Sequence, residues 1–196
     1  MDNVRKPAPQ GVRLDHRQVR VLAHPLRMRL VGALRVNGPA TATRLAELLD
    51  TNTGATSYHL RQLAEVGLVV EDPERGSGRQ RYWRAGHDFT QWDTSDYDAD
   101  PDARAAIEWV EGHQVRYLTE VAERWFAARH EWSAAWRDAL GMGDTFLTLT
   151  PQRLQALKAD LDRVLERHRA EATADEPDAE RVQIFLAAYP LTEGPR

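Results

Sequence analysis

Eleven consecutive residues, Thr53 to Leu63, hold the side chains in this sequence that are best suited to polar recognition. Hydroxyl, imidazole, guanidinium and amide groups follow one another there, while Leu60 and Leu63 supply an apolar side. Such groups donate and accept the hydrogen bonds that base edges and phosphates offer. The spacing predicts a helix over about 54–66, preceded by a polar stretch rich in capping residues at 50–53.

The elements around this helix predict how it is held. A shorter helix is expected from Thr41 to Leu49, and Gly67 stands where a helix C-terminal glycine in the left-handed conformation is expected. Two short helices separated by about four residues form a helix-turn-helix. Strand-like segments at 68–71 and 80–84 enclose a turn-rich, basic loop, so the sequence predicts a winged helix.

In helix-turn-helix geometry the second helix enters the major groove, and its N-terminal residues meet base edges. Free amides at the helix start also suit a phosphate. Arg pairs well with guanine and Gln with adenine, whereas arginines in a hairpin loop suit the backbone or a narrow minor groove. The candidate DNA-binding residues are Thr53, Ala55, Thr56, Ser57, Tyr58, His59, Arg61 and Gln62 in the helix, and Arg75, Arg79 and Arg81 in the wing over 72–80.

Two further helices are expected before this motif. Apolar residues recur at helical spacing from Asp15 to Val36, but Pro25 interrupts the run, and proline is tolerated in a first turn rather than inside a helix. The pattern therefore predicts helices at about 15–22 and 26–36, with a disordered arm over residues 1–11. His24 and Arg27, at the joint, are interpreted as structural residues, with a phosphate contact by Arg27 as the alternative.

The second half of the chain predicts a different domain. Residues 12–86 are assigned to the winged helix, 87–101 to an acidic linker and 102–196 to a helical dimerisation domain that could also hold an effector. The expected fold class is mainly α (α+β), with a small strand–helix–strand unit in the second domain. Its predicted elements are a helix over 102–140 that breaks near His130, a strand over 145–150, a helix over 150–170 and a strand over 181–189.

Composition and charge restrict the function classes. The 196 residues contain no cysteine, which excludes disulfides, thiolate metal sites and a cysteine nucleophile. Neither a secretory signal nor a membrane span is found in the sequence, so a cytoplasmic location is expected. Residues 1–86 carry 14 Lys or Arg against 8 Asp or Glu, whereas 87–196 carry 12 against 22. This asymmetry favours a polyanion partner for the first half, although an unevenly charged solvated surface would look similar.

Three stretches of the first half carry a family resemblance. They are LAHPLRMRL at 22–30, AELL at 46–49 and SYHLRQLAEVGLV at 57–69. These stretches resemble the ArsR-like winged-helix bacterial transcription regulators over roughly residues 15–85. The resemblance implies a homodimer that binds operator DNA and represses transcription. Many members sense metals through Cys or His clusters, but this chain lacks Cys and carries a tryptophan-bearing region of 110 residues instead of a short dimerisation helix.

Aromatic residues and histidines of the second half are candidate ligand sites. Trp109, Trp125, Trp132 and Trp136 fit core and dimer packing, or an aromatic-lined pocket for a small organic effector, and the two readings are compatible. Glu111 and His113 are two residues apart and so do not share a helix face. The sequence predicts neither a metal site nor a cofactor.

The sequence therefore predicts a homodimeric, sequence-specific DNA-binding transcription regulator, with double-stranded operator DNA and a second copy of itself as partners. The alternative is a winged-helix module for protein interaction or dimerisation without specific DNA binding. An enzyme is not expected, because no nucleophile, base and orienting group occur at a recognisable spacing. The pair Gly76 and Gly78 does not indicate a dinucleotide site, since it lies between strands rather than at a helix start.

Overall fold

The computed structural model describes residues 11–75, 80–139, 141–172 and 176–191. The chain divides into two compact units, an N-terminal unit of Pro9–Glu120 and a C-terminal unit that begins at Val121. Helices predominate in both, which confirms the mainly α fold class with an N-terminal winged helix-turn-helix and a helical C-terminal part. Among the described helices, none combines the length and the apolar character that crossing a bilayer requires.

The N-terminal unit contains a three-stranded antiparallel sheet and a separate parallel strand pair. Strand order in the sheet is β2-β4-β3, and β1 pairs with β5. The elements, in chain order, are β1 (Gly11–Arg13), α1 (His16–Leu22), α2 (Pro25–Asn37), β2 (Ala40–Thr41), α3 (Ala42–Leu48), α4 (Thr53–Ala64), β3 (Val69–Glu71), β4 (Tyr82–Ala85), β5 (Phe89–Gln91), a 3₁₀ turn (Thr94–Tyr97) and the start of α5 (Pro101–Ala128).

The first two helices begin where local chemistry favours a helix start. Asp15 caps α1 in a reciprocal capping box with Gln18. Pro25 occupies the first turn of α2, where its missing N–H costs nothing, and His24 caps this helix through Nδ1, which accepts from the Leu26 N–H at 3.1 Å. The predicted joint at His24 and Pro25 is therefore confirmed.

The main core lies beneath α2, α3, α4 and the sheet. Its fully buried members include Leu30, Leu60 and Leu63, and Trp83 packs against them from β4. Gly67 has φ 73°, as expected for the residue that ends α4. A Cβ on Gly86 would lie 2.3 Å from the Gly67 carbonyl oxygen, so the chain leaving β4 passes directly against the α4–β3 turn.

The segment predicted to be a linker, 87–101, is instead folded. It contains β5 and the 3₁₀ turn, and the fully buried Tyr97 donates its hydroxyl hydrogen bond to the Leu14 carbonyl at 2.7 Å. Tyr97 packs in a second cluster with Val19 of α1 and Ile107 of α5. Residues of the predicted second domain therefore extend the core of the N-terminal unit. The predicted arm lies almost wholly outside the described residues, but Gly11 belongs to β1.

Asp100 stabilises the start of α5 and contacts α1. Its carboxylate accepts from the Ala103 N–H at 3.0 Å, and it also contacts His16 at 3.0 Å and Arg20 at 2.7 Å. The Ala103 amide, followed by the His16 and Arg20 contacts, holds the pKa of Asp100 well below its ordinary value. Acidic residues in this segment thus hold α1 and α5 together rather than forming a solvated tether.

The C-terminal unit contains the end of α5, a 3₁₀ turn (Arg129–Glu131), α6 (Ala134–Ala139) and α7 (Pro151–Glu171). The predicted helix break near His130 is confirmed. The two predicted strands are not formed, because neither 145–150 nor 181–189 has regular secondary structure. A short alternating segment becomes a strand only when a neighbouring strand satisfies its backbone groups, a condition that alternation within the segment does not supply.

Candidate nucleic-acid interface

Helix α4 is anchored by its apolar side. Leu60 and Leu63 are fully buried against the main core. Asn52 caps the helix, its side-chain oxygen accepting from the Ala55 N–H at 2.7 Å. The same arrangement leaves Thr53, the first helical residue, exposed at the surface. The start of the helix is therefore both rigid and accessible, as base contact in a groove requires.

The outer side of α4 carries polar groups with weak internal partners. The side chain of Tyr58 is prominent there, with 54 % of its surface exposed. Arg61 is also exposed, and its Nε donates to the Ser57 carbonyl at 3.2 Å, which leaves the other guanidinium donors available. Gln62 contacts Glu65 only at 3.5 Å. These contacts are easily exchanged for contacts with a ligand.

Thr56 does not lie on this outer side. Its side chain is fully buried, and its hydroxyl donates to the Asn52 carbonyl at 3.0 Å. The prediction that Thr56 lies close to bases is therefore wrong. A threonine hydroxyl can satisfy its hydrogen bond on the preceding turn, so a polar residue in this position packs inward without penalty.

His59 packs on another helix rather than pointing outward. Its ring lies 4.4 Å from the ring of His24 at the start of α2, and its Nδ1 is buried without a hydrogen-bond partner among the described residues. Partial burial lowers the pKa of His59, and the nearby charges of His24 and Arg27 lower it further. The structure thus gives His59 a contact with α2 that the sequence did not indicate, and direct base reading by this ring is not supported.

The hairpin between β3 and β4 forms the expected wing. Arg75 lies 3.8 Å from Asp72, and Arg81 lies 3.0 Å from Glu71, with both arginine side chains more than half exposed. Exposed pairs of this kind contribute little to stability, so the arginines can exchange these carboxylates for phosphates. Arg79, the remaining wing candidate, lies outside the described residues.

Arg44 was not among the predicted DNA-binding residues, and a phosphate contact by Arg27 was only the alternative to a structural role. Arg44 on α3 is exposed, and its guanidinium lies 3.2 Å from the Glu47 carboxylate. Arg27 on α2 has a buried Nε without a described partner, and partial burial lowers its pKa. Because the first helix of a helix-turn-helix crosses the phosphate backbone, exposed cations on α3 were a signal available from the sequence.

The four tryptophans singled out in the sequence separate into two groups. Trp125, Trp132 and Trp136 lie together, with successive ring centroids 5.8 and 5.9 Å apart. Trp109 belongs to the N-terminal unit and stacks on His113 at 5.2 Å. Trp109 packs against the second core cluster of the N-terminal unit, whereas the other three tryptophans contact one another in sequence. In the part of the chain that the structure describes, no three His, Asp or Glu side chains converge as a metal site would require.

Comparison with known proteins identifies the motif. Residues 22–72 match the family model of a helix-turn-helix domain, and the match spans α2, α3, α4 and β3. The chain contains a winged helix-turn-helix domain. The family match and the observed fold support a DNA-binding regulator. No curated protein matches the sequence.

Several solved structures are similar to part of this chain. A possible transcriptional regulator for arsenical resistance is 30 % identical, with 53 % of this chain and 94 % of that chain covered at a TM-score of 0.31. A mutant MarR from E. coli is 15 % identical, covering 76 % and 85 % at 0.33. A transcriptional regulator from Thermotoga maritima is 13 % identical, covering 76 % and 85 % at 0.30. These TM-scores are low, and the likenesses carry no weight for the function of this chain.

Proposed function

We propose that the protein is a sequence-specific, homodimeric DNA-binding transcription regulator. In this proposal α4 enters the major groove and the β3–β4 hairpin contacts the backbone or the minor groove. The observation that carries it is the two-sided character of α4. Its apolar side and Thr56 are buried, whereas Thr53, Tyr58 and Arg61 are presented to solvent beside an arginine-bearing hairpin.

Each remaining candidate then has a defined place in the complex. Thr53 and Tyr58, with half-buried Ala55 and Ser57, stand nearest the base edges, and Gln62 one turn further on suits adenine. Arg61, Arg75, Arg79 and Arg81 supply positive charge for phosphates or guanine, and Arg44 supports the backbone beside α3. His59 acts indirectly, because its contact with His24 fixes α4 against α2.

Dimerisation is proposed to use the C-terminal unit. Helix α7 has an apolar stripe that includes Leu154, Leu161 and Val164, and none of its described residues is buried. A 21-residue helix gains most of its stability from packing, so an uncovered stripe calls for a partner. The winged-helix motif reads two half-sites through a two-fold axis, which favours a second copy of this chain as that partner.

The sign of regulation is proposed to be repression, which follows from the ArsR-like resemblance of residues 15–85. A small organic effector is proposed to act through the C-terminal aromatic residues.

The operator is expected to be roughly palindromic, with half-sites one helical turn, ~34–36 Å, apart.

The test begins with selection of bound fragments from a random duplex pool by the full-length protein. Enrichment of a palindromic sequence is expected, and affinity for it should fall steeply with added salt because phosphate contacts release counterions. Arg61→Ala should weaken binding by about 1–3 kcal/mol. Arg153→Ala removes an exposed arginine from α7 and is the matched control, which should bind like the wild type.

A pool that yields no enriched sequence, together with equal affinity of both variants, would overturn the proposal. That outcome would favour the alternative, a winged-helix module for protein interaction.

A further inference from the structure

The C-terminal unit contains a cavity where α5 ends and the chain turns into α6. Its volume is about 510 Å³, within the range of ~300–1,000 Å³ that is typical of small-molecule sites. The side chains around it combine aromatic or apolar groups with positively chargeable ones. They include Trp125, Phe126, Arg129, His130, Arg137 and Met142.

Local structure explains why these groups meet. The helix breaks into a 3₁₀ turn at Arg129–Glu131, and the Trp132 N–H donates to the Arg129 carbonyl at 3.2 Å. Ser133 then starts α6, its hydroxyl accepting from the Trp136 N–H at 3.3 Å. Ring contacts from Trp125 through Trp132 to Trp136 hold the end of α5 and α6 together. Trp125, the first of these rings, also lines the cavity.

The chargeable side chains that line this cavity are two arginines and a histidine. Among the described residues, neither Arg129 nor Arg137 lies within salt-bridge distance of a carboxylate, whereas His130 lies 3.8 Å from Glu131. The Arg129 guanidinium lies 5.8 Å from the centre of the Phe126 ring. An arginine beside an aromatic ring can hold a planar anion by its edge while the ring contacts the anion's apolar body.

We propose that this cavity binds a small organic anion with a flat apolar body, such as an aromatic carboxylate. The body lies against Trp125, Phe126 and Met142, and the carboxylate is paired with Arg129 and Arg137. A planar guanidinium donates two parallel hydrogen bonds to a carboxylate, so the two arginines select a carboxylate over an uncharged group of the same shape. The role of this cavity as the effector site of the regulator rests on the proposed function. The binding of an anion in the cavity does not depend on that function.

Binding is tested on the full-length protein without DNA by isothermal titration calorimetry. The probes are benzoate, 2-naphthoate and indole-3-acetate, and 2-naphthamide is the uncharged control. Saturable binding of at least one carboxylate is expected, with the amide at least about tenfold weaker. The double variant Arg129→Gln, Arg137→Gln should lose about tenfold or more in affinity. Arg153→Gln, Arg163→Gln removes two exposed arginines of α7 and should bind the carboxylates like the wild type.

Circular dichroism melting checks that each variant is folded. Trp125→Leu provides a second test of the site, since it should weaken carboxylate binding while leaving both arginines in place. Equal affinity for 2-naphthoate and 2-naphthamide, no saturable binding by any probe, or unchanged binding by the double variant would overturn the site. Repeating the DNA titration with bound carboxylate separates the two proposals. A protein that binds the carboxylate but no DNA would contradict the regulator and keep the site, and one whose DNA affinity is unchanged by the carboxylate would contradict the effector role.

Discussion

Side chains of similar chemistry on α4 have different surroundings. Tyr58 projects from the helix, whereas the hydroxyl of Thr56 is buried and bonded to the Asn52 carbonyl. His59, next to Tyr58, contacts His24 on another helix. The sequence therefore predicted correctly that α4 has a polar outer side. It did not predict how deeply each side chain is buried. Depth depends on which tertiary contacts the neighbouring helix offers, and the sequence pattern does not specify them.

Asn52 is predicted to stabilise α4 through its cap. Asn52→Ala should lower the free energy of unfolding by about 1 kcal/mol, because the Ala55 N–H loses its acceptor at the helix start. Equilibrium urea unfolding followed by circular dichroism measures this change. Asn52→Asp retains an acceptor and should remain close to the wild type. Equal losses in both variants would show that the side-chain cap is not the cause.

The His24–His59 pair is predicted to make stability fall in acid. Partial burial lowers the pKa of both rings, and Arg27 lowers both further. In the unfolded chain a histidine titrates near ~6.5, so from that pH downward the unfolded state binds more protons than the folded state. The contribution of the pair is full above about pH 6.5 and is lost as pH falls toward the folded pKa values. Protonation of His24 Nδ1 would also remove the acceptor that caps α2.

Urea unfolding between about pH 5 and 8 measures this dependence. His59→Gln should make the decline in stability on acidification shallower. His87 and His113 also have pKa values lowered by partial burial, so a slope of the same sign should persist in this variant. A His59→Gln profile parallel to the wild type would exclude the pair as its source.

Two elements of the winged helix meet at the turn that joins α4 to β3. Gly67 ends α4 with a positive φ, and Gly86 follows β4 and passes against the Gly67 carbonyl. The first of these glycines was predictable, since a helix-ending glycine has a local cause. The second was not, because its requirement is the close approach of a segment distant in sequence. Both set the position of the wing relative to α4.

Gly86→Ala is predicted to be more damaging than Gly67→Ala. Gly67→Ala forces a Cβ into the left-handed region, at a cost of about 1–2 kcal/mol, but the added atom meets nothing within 4 Å. Gly86→Ala places a Cβ 2.3 Å from backbone, so the turn or the wing strand must move. Thermal unfolding and DNA titration together test this order. A larger loss for Gly67→Ala than for Gly86→Ala would contradict the close approach.

Local signals explain which elements could be predicted from the sequence. Pro25, the polar stretch before α4 and the helical spacing of α5 and α7 act within a few residues, and those helices are present. The parallel pair of β1 and β5 joins segments almost eighty residues apart and has no local signature. Conversely, 145–150 and 181–189 alternate like strands but have no regular secondary structure. The strands that were not predicted and the predicted strands that did not form have the same explanation. A strand is specified by its pairing with a neighbouring strand as well as by its own sequence.

For the whole molecule, exposed apolar surface is concentrated in the C-terminal unit. Phe146 is 73 % exposed and Ile184 is 59 % exposed, and both lie in the segments that alternate like strands. The stripe on α7 adds further exposed apolar side chains, and large exposed apolar patches often mark protein–protein contacts. A second copy would cover the stripe on α7. Dimerisation would then account for the uncovered apolar side chains of this helix.

Leu161→Glu is predicted to weaken the dimer. The substitution places a carboxylate within the apolar stripe of α7, where dimerisation would bury it without a partner. Sedimentation velocity over a range of protein concentrations should show a dimer for the wild type and a shift toward monomer for Leu161→Glu. The affinity for a palindromic DNA site should fall with it, because the two copies of α4 are no longer held for simultaneous binding.

Ala159→Glu adds the same carboxylate to the same helix and is the matched control. Position 159 lies about 160° around α7 from Leu161, opposite the stripe, because successive residues are separated by about 100°. This variant should therefore remain dimeric, and its helix content by circular dichroism should equal that of Leu161→Glu. A wild type that sediments as a monomer at all concentrations would contradict C-terminal dimerisation. Equal weakening by both substitutions would assign the effect to the added charge rather than to the stripe.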